Sequence, residues 1–148
     1  MKICLAASVG GHLTQIMRLE TVYRKRPHFF ITFYTGALQK LSDKEKVFFV
    51  RDTKRNPINF LINFFQSLKI FLQERPDVVI STGAGVAIPI CLLAKLAKRK
   101  VIFIEDFCRA YSPSISGRIC YHISDLFIVQ WEYLKRYYPK AQFVGTLL

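Results

Sequence analysis

Apolar, β-branched and aromatic residues fall in short runs at 2–7, 28–34, 46–50, 77–81, 100–104 and 125–129, which predict six strands, with a seventh at 142–144. Longer stretches with helical spacing lie between them and predict helices over 13–26, 57–74, 86–98, 114–123 and 132–138. Alternation of this kind builds a parallel sheet covered by helices on both faces, because parallel strands need a crossover connection. Arg75-Pro76-Asp77 marks one boundary. Proline cannot continue a helix and biases its predecessor towards extended geometry. Ligands in such sheets bind beyond the carboxyl ends of the strands, so the loops 8–12, 82–85 and 105–113 are expected to face one crevice.

Helix 57–74 has its own pattern. Asn56 is a capping residue and Pro57 suits the first helical position. At about 100° per residue, Ile58, Leu61, Ile62, Phe65, Leu68 and Leu72 form one stripe, expected to cover the sheet. Phe60, Phe64 and Phe71 form a second apolar stripe roughly 110° away. With Arg51, Lys54 and Arg55 just upstream, this second stripe is expected to contact the headgroup region of an anionic membrane. The other use of these phenylalanines is in the core or against a protein partner.

Composition narrows the picture. The 148 residues fit one ordinary domain, and 51% hydrophobic content excludes disorder. Twenty-two basic against 10 acidic residues give a net charge of +12, a field that draws phosphates, nucleic acids or anionic lipid. The cations are scattered and no nucleic-acid signature accompanies them, so no nucleic acid is expected as a partner. The cluster Lys95, Lys98, Arg99 and Lys100 reads as a solvated helix C-terminus. Cys4, Cys91, Cys108 and Cys120 contain no C-x-x-C pair and fit a reducing cytoplasm. The apolar stretch at the start is too brief for a signal peptide. The longest clean apolar run, 86–94, ends at Lys95, against about 20 residues for a membrane span. Membrane association is therefore expected to be peripheral.

Three loops carry candidate chemistry. Ser8-Val9-Gly10-Gly11-His12 follows the first strand and opens a helix, where backbone N–H groups approach an anion closely. It lacks the G-x-G-x-x-G fingerprint, and the second strand ends in Tyr34-Thr35 instead of an acid, which disfavours NAD. Ser81-Thr82-Gly83-Ala84-Gly85 offers a second nest of donors. His12 is a candidate general base or phosphate donor. In Glu105-Asp106-Phe107-Cys108-Arg109 the carboxylates are candidates for base or sugar contact, and Arg109 for phosphate. The alternative is that these loops are tight turns and a capped, solvated connection. His28 and His122 have no ligand spacing, so no metal is expected.

These motifs resemble those of bacterial PssD/CpsF-type polysaccharide biosynthesis proteins. The likeness rests on Ser8-Val9-Gly10-Gly11-His12-Leu13-Thr14-Gln15, on the segment from Pro76 to Gly85, on Phe103-Ile104-Glu105 with Phe107-Cys108-Arg109, and on Asp125 to Trp131 followed by Tyr138-Pro139-Lys140-Ala141. That family is similar to the membrane-anchoring subunit of the eukaryotic transferase that adds the second N-acetylglucosamine to dolichol-pyrophosphate, and to the N-terminal domain of MurG. The resemblance implies a Rossmann-like α/β fold equivalent to the N-terminal half of a GT-B glycosyltransferase. Residues 1–148 would be its acceptor-binding, membrane-associating domain. A PssE-like donor-binding subunit would bring the UDP-sugar, and the acceptor would be an undecaprenyl-pyrophosphate-linked sugar in capsule or exopolysaccharide assembly, at the cytoplasmic face of a bacterial inner membrane.

The resemblance further implies that Ser8, Gly10, Gly11, His12, Thr82, Gly83, Gly85 and Arg109 bind the acceptor pyrophosphate. His12 and Glu105 are the catalytic candidates, and the helix from Pro57 stands in the place of MurG's hydrophobic patch. No cofactor is implied. Ser8 replaces the first loop glycine of MurG, and no donor domain is expected in this chain. A complete small glycosyltransferase acting alone and a basic nucleic-acid-binding protein are the rival readings.

Overall fold

The computed structural model describes residues 1–147. Seven strands, β1 (Ile3–Ala7), β2 (His28–Thr32), β3 (Val47–Phe49), β4 (Val78–Gly83), β5 (Lys100–Ile104), β6 (Leu126–Val129) and β7 (Gln142–Phe143), form one sheet in the order β3-β2-β1-β4-β5-β6-β7. Every adjacent pair is parallel. The chain winds outward from β1 to β3, then returns to place β4 on the other side of β1. This reversal opens a crevice at the carboxyl ends of β1 and β4.

The helices are α1 (Gly11–Met17), α2 (Glu20–Tyr23), α3 (Gln39–Ser42), α4 (Pro57–Glu74), α5 (Ile88–Leu96) and α6 (Ile115–Tyr121). Successive strand side chains point to opposite faces, so β1 feeds two cores. Cys4 and Ala6 join Phe29, Val79, Phe103 and residues of α4, α5 and α6. Ile3, Leu5 and Ala7 join Phe30, Ile80 and the α1 residues Leu13 and Ile16. Helices thus cover both faces.

Several elements differ from the pattern-based expectation. The helix expected over 13–26 is two helices: Arg18 N–H reaches both Thr14 and Gln15 carbonyls and Leu19 N–H bonds Ile16, so the turn tightens and α1 ends. β4 runs on to Gly83, which puts Thr82 and Gly83 inside the strand. The segment after it opens as a 3₁₀ turn, Gly85–Ala87, before α5. The helix expected over 132–138 is a 3₁₀ segment, Glu132–Arg136. A 3₁₀ turn at Gly36–Leu38 and α3, neither expected, tuck Leu38 into the second core.

The largest correction concerns α4. Its cap and length are as expected: Asn56 Oδ1 accepts from Ile58 N (2.8 Å) and Asn59 N (3.4 Å), with Pro57 at the first position. Its faces are exchanged except at Leu68, which packs half-buried on the core as expected. Phe71 is buried in the core, and Phe60 and Phe64 pack half-buried against it, while Ile58, Leu61, Phe65 and Leu72 are 69, 55, 63 and 62% exposed. The cause is polar. The buried stripe carries Asn63 and Ser67, both fully buried, and hydropathy alone hides it. Asn63 Nδ2 donates to the carbonyls of Arg51 (2.8 Å) and Val86 (3.2 Å), and Ser67 donates to Asn63 Oδ1 (2.9 Å). Those bonds offset the burial of polar groups and fix which side faces inward. Phe71 therefore cannot contact a membrane, and the exposed apolar ridge belongs to the other stripe.

Candidate functional site

The carboxyl ends of β1, β4 and β5 open onto a cleft of about 600 Å³. Gly10, at φ 91°, makes the turn from β1 into α1 in a region that favours glycine. A methyl group built on Gly10 or Gly11 would meet no atom within 4 Å, so this turn is open above.

His12 follows on the first turn of α1 and lines the cleft. Its Nδ1 lies 2.8 Å from the Thr82 carbonyl, which only accepts, so that nitrogen carries the proton. In the neutral ring the lone pair then sits on Nε2. Nε2 is 3.7 Å from Asp106 Oδ2. Thr82 Oγ1 donates back to the His12 carbonyl at 2.7 Å, clamping the residue from both sides. Gly83, at φ 115°, lets the strand pass close beneath: a Cβ there would stand 3.3 Å from His12 Cε1.

Asp106 is held in turn. Its Oδ1 accepts from Gln15 Nε2 (2.8 Å) and Cys108 N (3.2 Å). Gln15 Oε1 accepts from Phe107 N (3.1 Å) and from Gln130 Nε2 (2.6 Å), which also donates to the Glu105 carbonyl (3.0 Å). Trp131 Nε1 donates to the Phe107 carbonyl at 2.6 Å. The loop after β5 is thereby fixed by two buried glutamines, Gln15 and Gln130, which lie within the sequence motifs without an expected role. The available signal was Gln15 at a core position between Leu13 and Ile16.

Glu105 requires a correction. It is fully buried, and its carboxylate accepts from Ser114 N (3.1 Å), Ser114 Oγ (2.6 Å), Tyr138 Oη (2.8 Å) and Asp106 N (3.1 Å). A carboxylate committed to four donors beneath α6 ties elements together and does not face a substrate. Burial, and then the neighbouring Glu105 charge and hydrogen bond, push the Tyr138 hydroxyl pKa upward.

The expected site residues separate into three groups. His12, Gly85 and Arg109 line the cleft, as do Lys54, Arg55 and Phe60 from the expected membrane set. Ser8, Gly10 and Gly11 form the open turn beside it. Thr82 and Gly83 are buried below His12 and support it. Arg51 projects instead into a second hollow, and Phe64 packs half-buried on the core.

The walls of the cleft differ in chemistry. Lys54, Arg55 and Arg109 have no carboxylate oxygen within 4.0 Å among the described residues. Pro57, Phe60, Ile88, Ile115 and Ile119 supply an apolar side. Lys54 and Arg55 are both left-handed (φ 43° and 55°), as is Ala84 (φ 70°, ψ 158°), whose N–H donates to Ser116 Oγ at 3.3 Å. Backbone held in such regions clusters at binding sites. No group of three potential metal ligands occurs among the described residues. Free cations, a histidine with an available lone pair and an apolar wall equip one cleft for an amphiphilic anion.

Solved structures share the fold. MurG from Acinetobacter baumannii superposes with a TM-score of 0.77 at 16% identity, over 99% of this chain and 46% of that one. UDP-N-acetylglucosamine 2-epimerase from Rickettsia bellii does so with a TM-score of 0.79 at 17% identity, over 99% and 45%. The chain spans about half the length of these structures. In sequence it is 28% identical over 181 residues to the mouse protein named UDP-N-acetylglucosamine transferase subunit ALG14, covering all of this chain and 83% of the relative. The model of the family described as "Oligosaccharide biosynthesis protein Alg14 like" matches residues 50–147, which begin just after β3 and include the loops after β4 and β5. The chain belongs to this Alg14-like family, on the Rossmann-like half of a GT-B framework.

Proposed function

We propose that this chain is the acceptor-binding, membrane-surface subunit of a two-chain glycosyltransferase, and that its cleft holds a polyprenyl-pyrophosphate-linked sugar. The carrying observation is the cleft's two-sided chemistry. Unpaired Lys54, Arg55 and Arg109 suit a pyrophosphate, and the wall of Pro57, Phe60, Ile88, Ile115 and Ile119 suits the first isoprene units. The exposed ridge Ile58, Leu61, Phe65 and Leu72 lies on the same helix as Pro57 and Phe60, so a lipid tail leaving the cleft meets a surface able to enter a bilayer. Among the described residues no helix is long and apolar enough to cross a membrane.

A separate subunit would supply the UDP-sugar. The name of the mouse relative supports N-acetylglucosamine as the sugar and a multi-subunit transferase as the assembly. The resemblance of the motifs to those of PssD/CpsF-type proteins supports an undecaprenyl carrier, capsule or exopolysaccharide assembly, and the cytoplasmic face of a bacterial inner membrane. In the reaction, an acceptor hydroxyl oxygen attacks the anomeric carbon of the donor. The new C–O bond forms as the bond to the β-phosphate oxygen breaks, and UDP leaves with that electron pair. His12 Nε2 takes the hydroxyl proton, and Asp106, 3.7 Å away, stabilises the imidazolium before the proton passes to water. The turn at Gly10 and Gly11 adds main-chain donors to the acceptor phosphates.

The test is turnover of UDP-N-acetylglucosamine on a polyprenyl-pyrophosphate acceptor by the purified chain, alone and with a donor-binding partner subunit. Turnover is expected only with both. Full activity of the chain alone would show a self-sufficient enzyme and overturn the proposal.

A further inference from the structure

A second hollow, of about 510 Å³, lies at the carboxyl ends of β2 and β3. Arg51, Lys54, Asn59, Gln66, Tyr34 and Phe49 line it, together with Asp52. Like Lys54, Arg51 has no carboxylate within 4.0 Å among the described residues. Asp52 Oδ1 accepts from Lys54 N (3.3 Å), and Gln66 Oε1 accepts from Arg51 N (2.6 Å). These bonds fix the backbone from which both cations project. The Asn63 bond to the Arg51 carbonyl (2.8 Å) adds a third tie.

The position of the hollow relative to the exposed ridge is what gives it meaning. At about 100° per residue, Asn59 and Gln66 lie on one flank of the row Ile58, Leu61, Phe65 and Leu72, and Phe60, in the main cleft, lies on the other. The ridge therefore runs between two hollows. Tyr34 (64% exposed) and Phe49 (37% exposed) meet edge to face at 5.3 Å on the rim of the second. A tyrosine settles at headgroup depth, where its ring meets an apolar side and its hydroxyl a wet one, and Phe49 packs against it.

We propose that this second hollow is a headgroup site for an anionic phospholipid. The phosphodiester would be held by Arg51 and Lys54, with amide donors from Asn59 and Gln66, while Tyr34 and Phe49 sit at the interface. The site rests on the reading that the α4 ridge docks on a membrane. It adds to that reading a fixed place for one lipid beside the acceptor cleft, with Lys54 lining both.

The test is flotation of the full chain on vesicles of phosphatidylcholine alone and of phosphatidylcholine with phosphatidylglycerol. Arg51→Gln is compared with Lys98→Gln, which removes the same charge at the opposite edge of the sheet, and with Phe65→Ser on the ridge. A cation at the surface is worth about 1 kcal/mol, or about five-fold. Arg51→Gln is expected to lose about that factor on anionic vesicles and nothing on neutral ones, while Lys98→Gln changes neither because screening acts within about 10 Å. Equal losses for Arg51→Gln and Lys98→Gln would overturn the headgroup site in favour of diffuse attraction. Displacement from vesicles by inorganic phosphate at the headgroup concentration would overturn it in favour of a soluble anion. Phe65→Ser is expected to weaken both compositions. If it weakens neither, the membrane reading itself fails.

Discussion

The two ends of the sheet differ in how their carboxylates are paired. At the amino edge four carboxylates meet basic partners: Glu74 holds Lys2 (3.0 Å) and Lys46 (2.6 Å), Asp77 holds Arg99 (3.2 Å), Asp125 faces Lys95 (3.5 Å) and Lys100 (3.6 Å), and Glu45 meets His28 (2.9 Å). At the carboxyl edge, Arg51, Lys54, Arg55 and Arg109 have no carboxylate oxygen within 4.0 Å among the described residues, and Asp106 approaches the His12 ring at 3.7 Å. Backbone strain does not divide in this way: Lys54, Arg55 and Ala84 have positive φ at the carboxyl edge, and Arg75 and Lys98 have it at the amino edge. The amino edge pairs these carboxylates with neighbouring basic groups, whereas four cations at the carboxyl edge line the two hollows without a carboxylate partner. The net charge of +12 matters through this distribution more than through its size.

The sharpest way to break this contrast is at His12. His12→Ala in the reconstituted pair is expected to lower kcat by about 10²-fold or more, the usual contribution of a general base, with a smaller change in acceptor KM. His12→Gln should be nearly as slow. Near-normal rates for the Gln variant would rule out proton abstraction by this side chain and leave it a phosphate donor.

Glu105→Gln comes next and tests whether that carboxylate is structural. An amide placed among four donors is expected to cost about 1–3 kcal/mol of stability, read as a lower Tm. The pH profile of turnover should keep its shape. An unchanged Tm with a lost limb of that profile would return Glu105 to the chemistry.

Glu74→Gln probes the paired edge and is expected to be the smallest effect, about 1 kcal/mol, because Lys2 and Lys46 remain partly solvated. Burial on its own would raise the Glu74 pKa. Hydrogen bonds from Lys46 and Lys2, with their charges, outweigh it and hold the carboxyl below the usual glutamate range. A lowered folded pKa means the stabilisation is present above the ordinary glutamate pKa and disappears as pH falls through the lowered value. Urea titrations should therefore separate the wild type from Glu74→Gln at neutral pH and converge in acid. A gap that stays constant as the pH falls into acid would contradict the pairing.

The sheet was legible because strand and helix periodicities differ, and because glycines and prolines gather at strand ends. The turn at Gly10 and the loops before α5 and α6 were readable for the same reason. The inner face of α4 was not. Its register is set by Asn63 and Ser67, polar residues whose partners on Arg51 and Val86 lie 12 and 23 residues from Asn63. Glu105 was misread because a carboxylate at a strand end looks like a site residue, while the groups that satisfy it, Ser114 and Tyr138, lie nine and 33 residues away. Likewise Gln15 meets Gln130 across 115 residues. Local pattern identifies elements. Long-range hydrogen bonds decide which polar groups remain free for function.

One cleft is proposed to recognise a pyrophosphate and its lipid tail together. Titration of the chain with farnesyl pyrophosphate, farnesol and inorganic pyrophosphate tests it directly, using the wild type, Arg55→Ala and Arg109→Ala. Farnesyl pyrophosphate is expected to bind more tightly than either fragment, and each arginine variant to lose about tenfold, the worth of a hydrogen bond to a charged group. Equal affinity for inorganic pyrophosphate and farnesyl pyrophosphate, or arginine variants that bind like the wild type, would contradict the account.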